Sequence, residues 1–150
     1  MNRIWKPNVT VAALIERAGS FLLVEEETED GLRFNQPAGH LDEGESLVAA
    51  CAREALEETA WSFTPASLVG IYQWPRPQGD ITYLRFAFAG DLGEHDAGRT
   101  LDAGIQRAVW MTPDEIRASA ERHRSPLVWQ CVSDYLAGRR FPLDLVRHYG

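Results

Sequence analysis

The stretch that most constrains the fold runs from Gly39 to Trp61, GHLDEGESLVAACAREALEETAW. A loop rich in glycine and acid leads into a run of Ala, Leu and Glu, which favour helix, with Glu45 or Ser46 at the capping position. The sequence therefore predicts a helix over 46–60. At about 100° per residue, Glu58 falls about 40° to one side of Glu54 and Glu57 about 60° to the other. Three carboxylates share one narrow face, and Val48, Ala52, Ala55, Leu56 and Thr59 form an opposite face suited to packing on a sheet. Glu54 and Glu58 repel at i, i+4, and Glu57 and Glu58 sit where the helix dipole disfavours anions. Arg53 offsets only part of this. Alone, the RExxEE pattern also fits a solvated acidic face. The loop before it favours a site: Gly39 permits an unusual backbone or close approach to a ligand, and Glu45 is placed to pair with Arg53. Clustered hard oxygen donors suit Mg²⁺, with Mn²⁺ the alternative, and point to phosphate chemistry.

Elsewhere the pattern alternates between strand and helix. Val9–Glu16 and Phe21–Glu25 are apolar and β-prone and read as a hairpin around Arg17–Ser20. Glu25 to Asp30 reads as a solvated acidic turn, Leu32–Asn35 as a short strand, and Gln36–Gly39 as a break. Leu68–Trp74 and Ile81–Ala89 are strand-like, Asp91–Gly104 a mobile loop, and Arg107–Met111 a short strand. Thr112-Pro113-Asp114-Glu115 opens a helix with Pro at its first position. Pro126–Leu136 is a last helix, ended by Gly138. The expectation is one domain over residues 1–150, of α+β class: an α/β/α sandwich with a mixed sheet flanked by helices.

Other features narrow the function. A net charge of −7 over 150 residues disfavours a binder of nucleic acid polymers, RNA-decapping enzymes included. Met1–Pro7 is polar, and the Val9–Ile15 run is far short of a signal segment or the ~20 apolar residues of a membrane span. No membrane association and a cytoplasmic setting are expected. Cys51 and Cys131 have no ligand spacing and read as buried thiols. The sole lysine, Lys6, forms no Walker loop, and HExxH and GxSxG are absent.

The residues from Gly39 to Trp61 resemble the Nudix box, G-x5-E-x7-R-E-U-x-E-E-x-G-U, where U is a bulky aliphatic. Gly39, Glu45, Arg53, Glu54, Glu57 and Glu58 match at the right spacing. Ala55, Ala60 and Trp61 depart, at positions that concern helix packing and the exit turn. Outside the box, Asn35–Leu41, Gln73-Trp74, Leu84–Phe86 and Arg124–Val128 resemble the NudJ-type bacterial branch. The resemblance implies the Nudix fold and a Mg²⁺-dependent hydrolase of nucleoside tri- and diphosphates and of hydroxymethylpyrimidine pyrophosphate. Alternatives are another Nudix specificity, for oxidised nucleoside triphosphates or ADP-ribose, or a nucleotide sensor without turnover.

Within that reading Glu54 and Glu58 bind the principal metal, Glu57 shares a second ion or polarises water, and the Gly39 carbonyl completes the shell. Glu45 and Arg53 are structural. The general base is open between Glu57, Glu58 and Asp102. Many Nudix enzymes carry an acid six residues before the tryptophan of the last strand, and here that position is Gly104. His40 and His95 read as solvated or structural. Arg33 and Arg85 are candidate phosphate clamps or partners of surplus acids. Asn35 and Gln36 are candidates for hydrogen bonds to base or ribose, and Trp74 for stacking. The partner is a small nucleotide or pyrophosphate, and the chain a monomer or homodimer.

Overall fold

Alternation along a single strand sets the layering. In the computed structural model, which describes residues 3–150, strand β1 (Asn8–Leu14) is buried on both faces. Met1 and Asn2, the start of the polar N-terminal stretch, lie outside the described residues. Successive side chains of a strand point to opposite faces. Val11 and Ala13 accordingly join one core cluster with Ala50, Cys51 and Ala55 of helix α1 (Leu47–Thr59), while Ala12 and Leu14 join another with Cys131 and Val132. The same split recurs further along, with Leu68 and Phe88 on the first side and Val69, Ala87 and Ala89 on the second. A sheet with helices on both faces is the expected sandwich.

The remaining elements are β2 (Glu16–Arg17), β3 (Ser20–Thr28), β4 (Gly31–Asn35), β5 (Ala38–His40), β6 (Trp61–Pro75), β7 (Thr82–His95), β8 (Ile105–Met111), helix α2 (Pro113–Ala118), helix α3 (Leu127–Leu136) and β9 (Phe141–Pro142). A mixed five-stranded sheet runs β5-β1-β7-β6-β9, with β1 and β7 parallel and the other pairs antiparallel. An antiparallel sheet of β2, β3 and β4, with β8 also on β3, stands beside it.

Several expectations need correction. The predicted hairpin is confined to its tip: β2 and β3 pair around Ala18 (φ 50°) and Gly19 (φ 84°), both on the positive side that a two-residue type I′ turn requires. β1 belongs to the other sheet, because the chain changes sheets at buried Ile15. Gln36–Gly39 is not simply a break, since Ala38–His40 pairs with β1. The acidic run is mostly strand. Glu25 is buried between Arg107 and Arg122, which hold its carboxyl below the usual range, and only Glu29 and Asp30 fall outside the paired strands. β6 begins at Trp61 and continues through irregular pairing around Pro65, and Asp91–His95 extends β7 rather than opening a loop.

Helix α1 starts where the sequence placed it. The Ser46 hydroxyl accepts from the Ala49 N–H at 3.0 Å. It ends on Ala60 in the left-handed region (φ 64°), its N–H donating to the Leu56 carbonyl. The box pattern carries glycine there; a side chain in that conformation costs about 1–2 kcal/mol. Ala55 and Thr59 of the predicted face are buried, but the buried face is rotated from it: Val48, Ala52 and Leu56 are only half-buried, while Glu54 and Glu58, each 8% exposed, turn inward. The reason is β5, whose glycine lets the carboxylate edge approach. Thr112 caps α2 in a reciprocal capping box with Glu115, with Pro113 at the first position.

Candidate active site

The loop before α1 and the helix itself are joined by one guanidinium. Arg53 Nε and Nη2 donate to Glu45 Oε2 and Oε1 at 2.7 and 2.9 Å, the bidentate geometry that makes such pairs strong. Nη2 also donates to the His40 carbonyl at 3.1 Å. Nη1 donates to Glu54 Oε1 at 2.8 Å and to Glu57 Oε1 at 2.9 Å. Glu45 is held below the usual carboxylate range by Arg53 and also accepts the Asp42 N–H. Loop and helix are thus tied into one unit.

Gly39 is needed for close approach, not for an unusual φ. A Cβ built there would lie 2.1 Å from Glu54 Cδ and 2.3 Å from both carboxylate oxygens. Next to it, Glu58 Oε1 accepts the Ala38 N–H at 3.0 Å. That is too little compensation for a carboxylate so deeply placed. Burial pushes Glu58 up to about 8, opposed by the Ala38 hydrogen bond and reinforced by Glu26, Glu54 and Asp102. Burial also raises Glu54, against the lowering effect of Arg53. Glu54, Glu57 and Asp102 offer carboxylate oxygens all within 4.8 Å of one another. The loop brings Asp102 there by donating its N–H to the Glu57 carbonyl at 3.0 Å. A buried Glu58 with no cationic partner among the described residues, Glu54 and Glu57 sharing a single guanidinium, a backbone cradle that a methyl group would fill and an all-oxygen donor set fit a hard divalent cation.

This acidic edge borders a cleft of about 1030 Å³ between the two sheets. Glu54, Glu58, Gly39, Arg33, Asn35, Trp74 and Arg85 all line it, whereas Glu57 and Gln36 do not. Arg33 donates only to the adjacent Leu32 carbonyl, and Arg85 only to neutral acceptors: Asn35 Oδ1 at 3.0 Å, Gln36 Oε1 at 2.8 Å and Cys131 Sγ at 3.7 Å. Among the described residues neither has a carboxylate within 4 Å, so pairing with surplus acids is not their role. Trp74 stacks on Tyr83, centroids 6.0 Å apart and planes 16° from parallel, and both face the cleft. Gln36 corrects the expectation of direct ligand contact. It is 0% exposed, with its amide donating to the Val128 carbonyl at 2.8 Å behind Arg85. His40 lines the cleft, while His95 stands against Trp61 away from it. Gly104 is a backbone turn (φ 90°), and Asp102 is the acid its loop delivers. Tyr83, not singled out in the sequence, and Trp129, expected to face the core or a partner, also line the cleft; the alternation Tyr83, Arg85 on β7 was the available signal for the first. Cys51 and Cys131 are free and buried.

Residues 5–130 match the model of the NUDIX domain family. The chain is 39% identical over 143 residues to the phosphatase NudJ of Escherichia coli strain K12, covering 95% of this chain and 92% of that one; the same figures hold for phosphatase NudJ of Shigella flexneri. Among solved structures, it is 54% identical to a NUDIX hydrolase from Nitrosomonas europaea, with a TM-score of 0.93 over 96% of this chain and 98% of that one. A MutT protein from Methanosarcina mazei Go1, 22% identical, shares the fold with a TM-score of 0.72 over 91% and 99% of the two chains.

Proposed function

Since the chain belongs to the Nudix hydrolase family, we propose that this NudJ-like hydrolase acts, with Mg²⁺, on small nucleoside tri- and diphosphates and on hydroxymethylpyrimidine pyrophosphate. The observation that carries the reading is the shared cleft. Buried acids Glu54 and Glu58 stand at one edge, and carboxylate-free Arg33 and Arg85, with the Trp74–Tyr83 pair, line the same space.

Glu54 and Glu58 would hold the principal ion, with the Gly39 carbonyl completing its shell and Glu57 sharing a second ion or polarising water; Mn²⁺ suits the same oxygens. A divalent cation bound there supplies charge neutralisation for phosphate oxygens and activation of water. Glu45 and Arg53 set the helix edge at its working position. We assign proton acceptance from the attacking water to the Asp102 carboxylate, because its loop reaches the edge beside Glu54 and Glu57; Glu57 and Glu58 are the alternative acceptors. Arg33 and Arg85 hold phosphate oxygens not engaged at the acidic edge. Trp74 presents a flat apolar face to a base or pyrimidine ring.

The test is a phosphate-release panel on purified protein with Mg²⁺, with Glu58→Gln as control. It includes nucleoside tri- and diphosphates, ADP-ribose, an oxidised purine triphosphate and hydroxymethylpyrimidine pyrophosphate. Orthophosphate release from the di- and triphosphates, lost in Glu58→Gln, is the expected result. Preferred cleavage of ADP-ribose or the oxidised nucleotide would overturn the substrate assignment, and full turnover by Glu58→Gln would overturn the metal-site assignment.

A further inference from the structure

Arg85 is an unusual cation for so acidic a chain. Its side chain belongs to a residue only 6% exposed, and a buried charge ordinarily has an opposite charge beside it. Here both guanidinium nitrogens Nη1 and Nη2 meet amide oxygens, from Gln36 and Asn35. The Gln36 amide has one orientation that serves both neighbours: oxygen toward the Arg85 donor, NH₂ toward the Val128 carbonyl. Gln36 therefore fastens the guanidinium to α3 without neutralising it. Asn35 sits at the end of β4 in one sheet and Arg85 on β7 in the other, so the charge is held from both walls of the cleft.

We propose that Gln36 and Asn35 are positioning residues that keep Arg85 uncompensated for a phosphate-type oxyanion of the substrate, and that their neutrality sets the anion affinity of this subsite. The proposal rests on the cleft being the substrate site of the hydrolase. Register fixes the place of the subsite. Thr10 of β1 lies between His40 of β5 and Arg85 of β7, so Arg85 stands two strand spacings, about 10 Å, from the Gly39–His40 edge. Tyr83 precedes Arg85 by two residues on the same sheet face, about 7 Å away. The ligand class that spans these points carries a phosphate chain at the acidic edge, a further oxyanion at Arg85 and a flat ring beside Tyr83.

The discriminating variants are Gln36→Glu, Asn35→Asp and Gln36→Met, each checked for its fold by circular dichroism. The two carboxylates put a counter-charge on Arg85, whereas Gln36→Met removes both amide hydrogen bonds and leaves the charge free. The probe is inorganic pyrophosphate in EDTA, titrated by calorimetry, together with KM and kcat on the best substrate in Mg²⁺. We expect pyrophosphate affinity to fall about 10- to 100-fold in Gln36→Glu and Asn35→Asp, the range for one charge-assisted contact, with KM rising in parallel and kcat far less affected. Gln36→Met loses less than about fivefold. A merely structural role predicts the reverse order, with Gln36→Met at least as damaged as Gln36→Glu, and that result overturns the proposal. So do wild-type affinities in both carboxylate variants, or no pyrophosphate binding by wild type. Asn35→Asp, on a half-buried residue with no side-chain hydrogen bond to α3, carries the test if Gln36→Glu does not fold. If the predicted order holds but no substrate is turned over, the subsite stands and the hydrolytic assignment of substrates fails.

Discussion

Replacing Gly39 with Ala tests the site through one methyl group. The added Cβ would sit 2.1 Å from Glu54 Cδ, and an ordinary contact begins near 3.4 Å, so the carboxylate must retreat by about 1.3 Å. The backbone is not strained by the change, because Gly39 does not have a positive φ. The displaced group is the end of a flexible side chain. The cost to folding is then a non-ideal rotamer and a weakened Arg53–Glu54 contact, about 1 kcal/mol, or a few degrees in Tm for a chain of this size. Chemistry is less forgiving, since a misplacement of about 1 Å costs on the order of 100-fold in rate. The expected variant is folded, melts a few degrees low, loses about 100-fold in kcat/KM with Mg²⁺, and binds Mn²⁺ more weakly by electron paramagnetic resonance. Adding Gly39→Ala to Glu54→Gln should cost little more, because both act on one carboxylate. A Gly39→Ala enzyme within threefold of wild type would refute the reasoning, showing that the Glu54 position is not what the glycine protects.

Three further outcomes follow from the same geometry. Glu58 reaches about 8 in the folded chain against an unfolded value of 4.5. Its stabilising contribution is therefore full below about pH 4.5 and lost as pH rises to 8, because the unfolded chain gives up the proton first. Urea titrations in EDTA should show stability falling on the order of 3–5 kcal/mol over that window, the fall largely absent in Glu58→Gln and reversed by added Mg²⁺. Glu45→Gln, which removes the bidentate partner of Arg53, should lower kcat and Mg²⁺ affinity by about tenfold; an unchanged metal dependence in a Mg²⁺ titration would rule out a positioning role. Trp74→Ala should raise KM for aromatic substrates about tenfold and leave KM for inorganic tripolyphosphate nearly unchanged, measured by phosphate release.

Much of the site was legible because it is local. Ser46, Arg53 and the three glutamates lie on one helix, and their wheel positions follow from its pitch. Gly39 and Glu45 come from the adjoining loop. What sequence could not give was the helix's rotation, which depends on β5 pairing with β1 and on the space left where Gly39 has no side chain. Glu25 read as solvated because its partners, Arg107 and Arg122, come from the far end of the chain. Gln36 read as a ligand contact for the same reason: Val128 and Arg85, which bury it, are remote in sequence. Pro65 hid the first half of β6, since proline inside a strand normally marks an edge or bulge, and a bulge is what it proved to be. Counting back from Trp110 led to Gly104, which is no acid; Asp102 is the acid close to it in sequence, and the loop geometry carries it to Glu54 and Glu57.

Arg53 has a consequence for how an ion would be exchanged under the proposed function. Its Nη1 sits between Glu54 and Glu57, giving those oxygens a resident monovalent counter-ion. An incoming divalent cation does not meet a bare negative field. It competes for oxygens already shared with a guanidinium that cannot leave, because Glu45 holds its other edge. The free energy of loading is the difference between two satisfied arrangements. Such a difference would be small compared with either attraction alone, and under the proposed function it favours an exchangeable ion over one sequestered permanently.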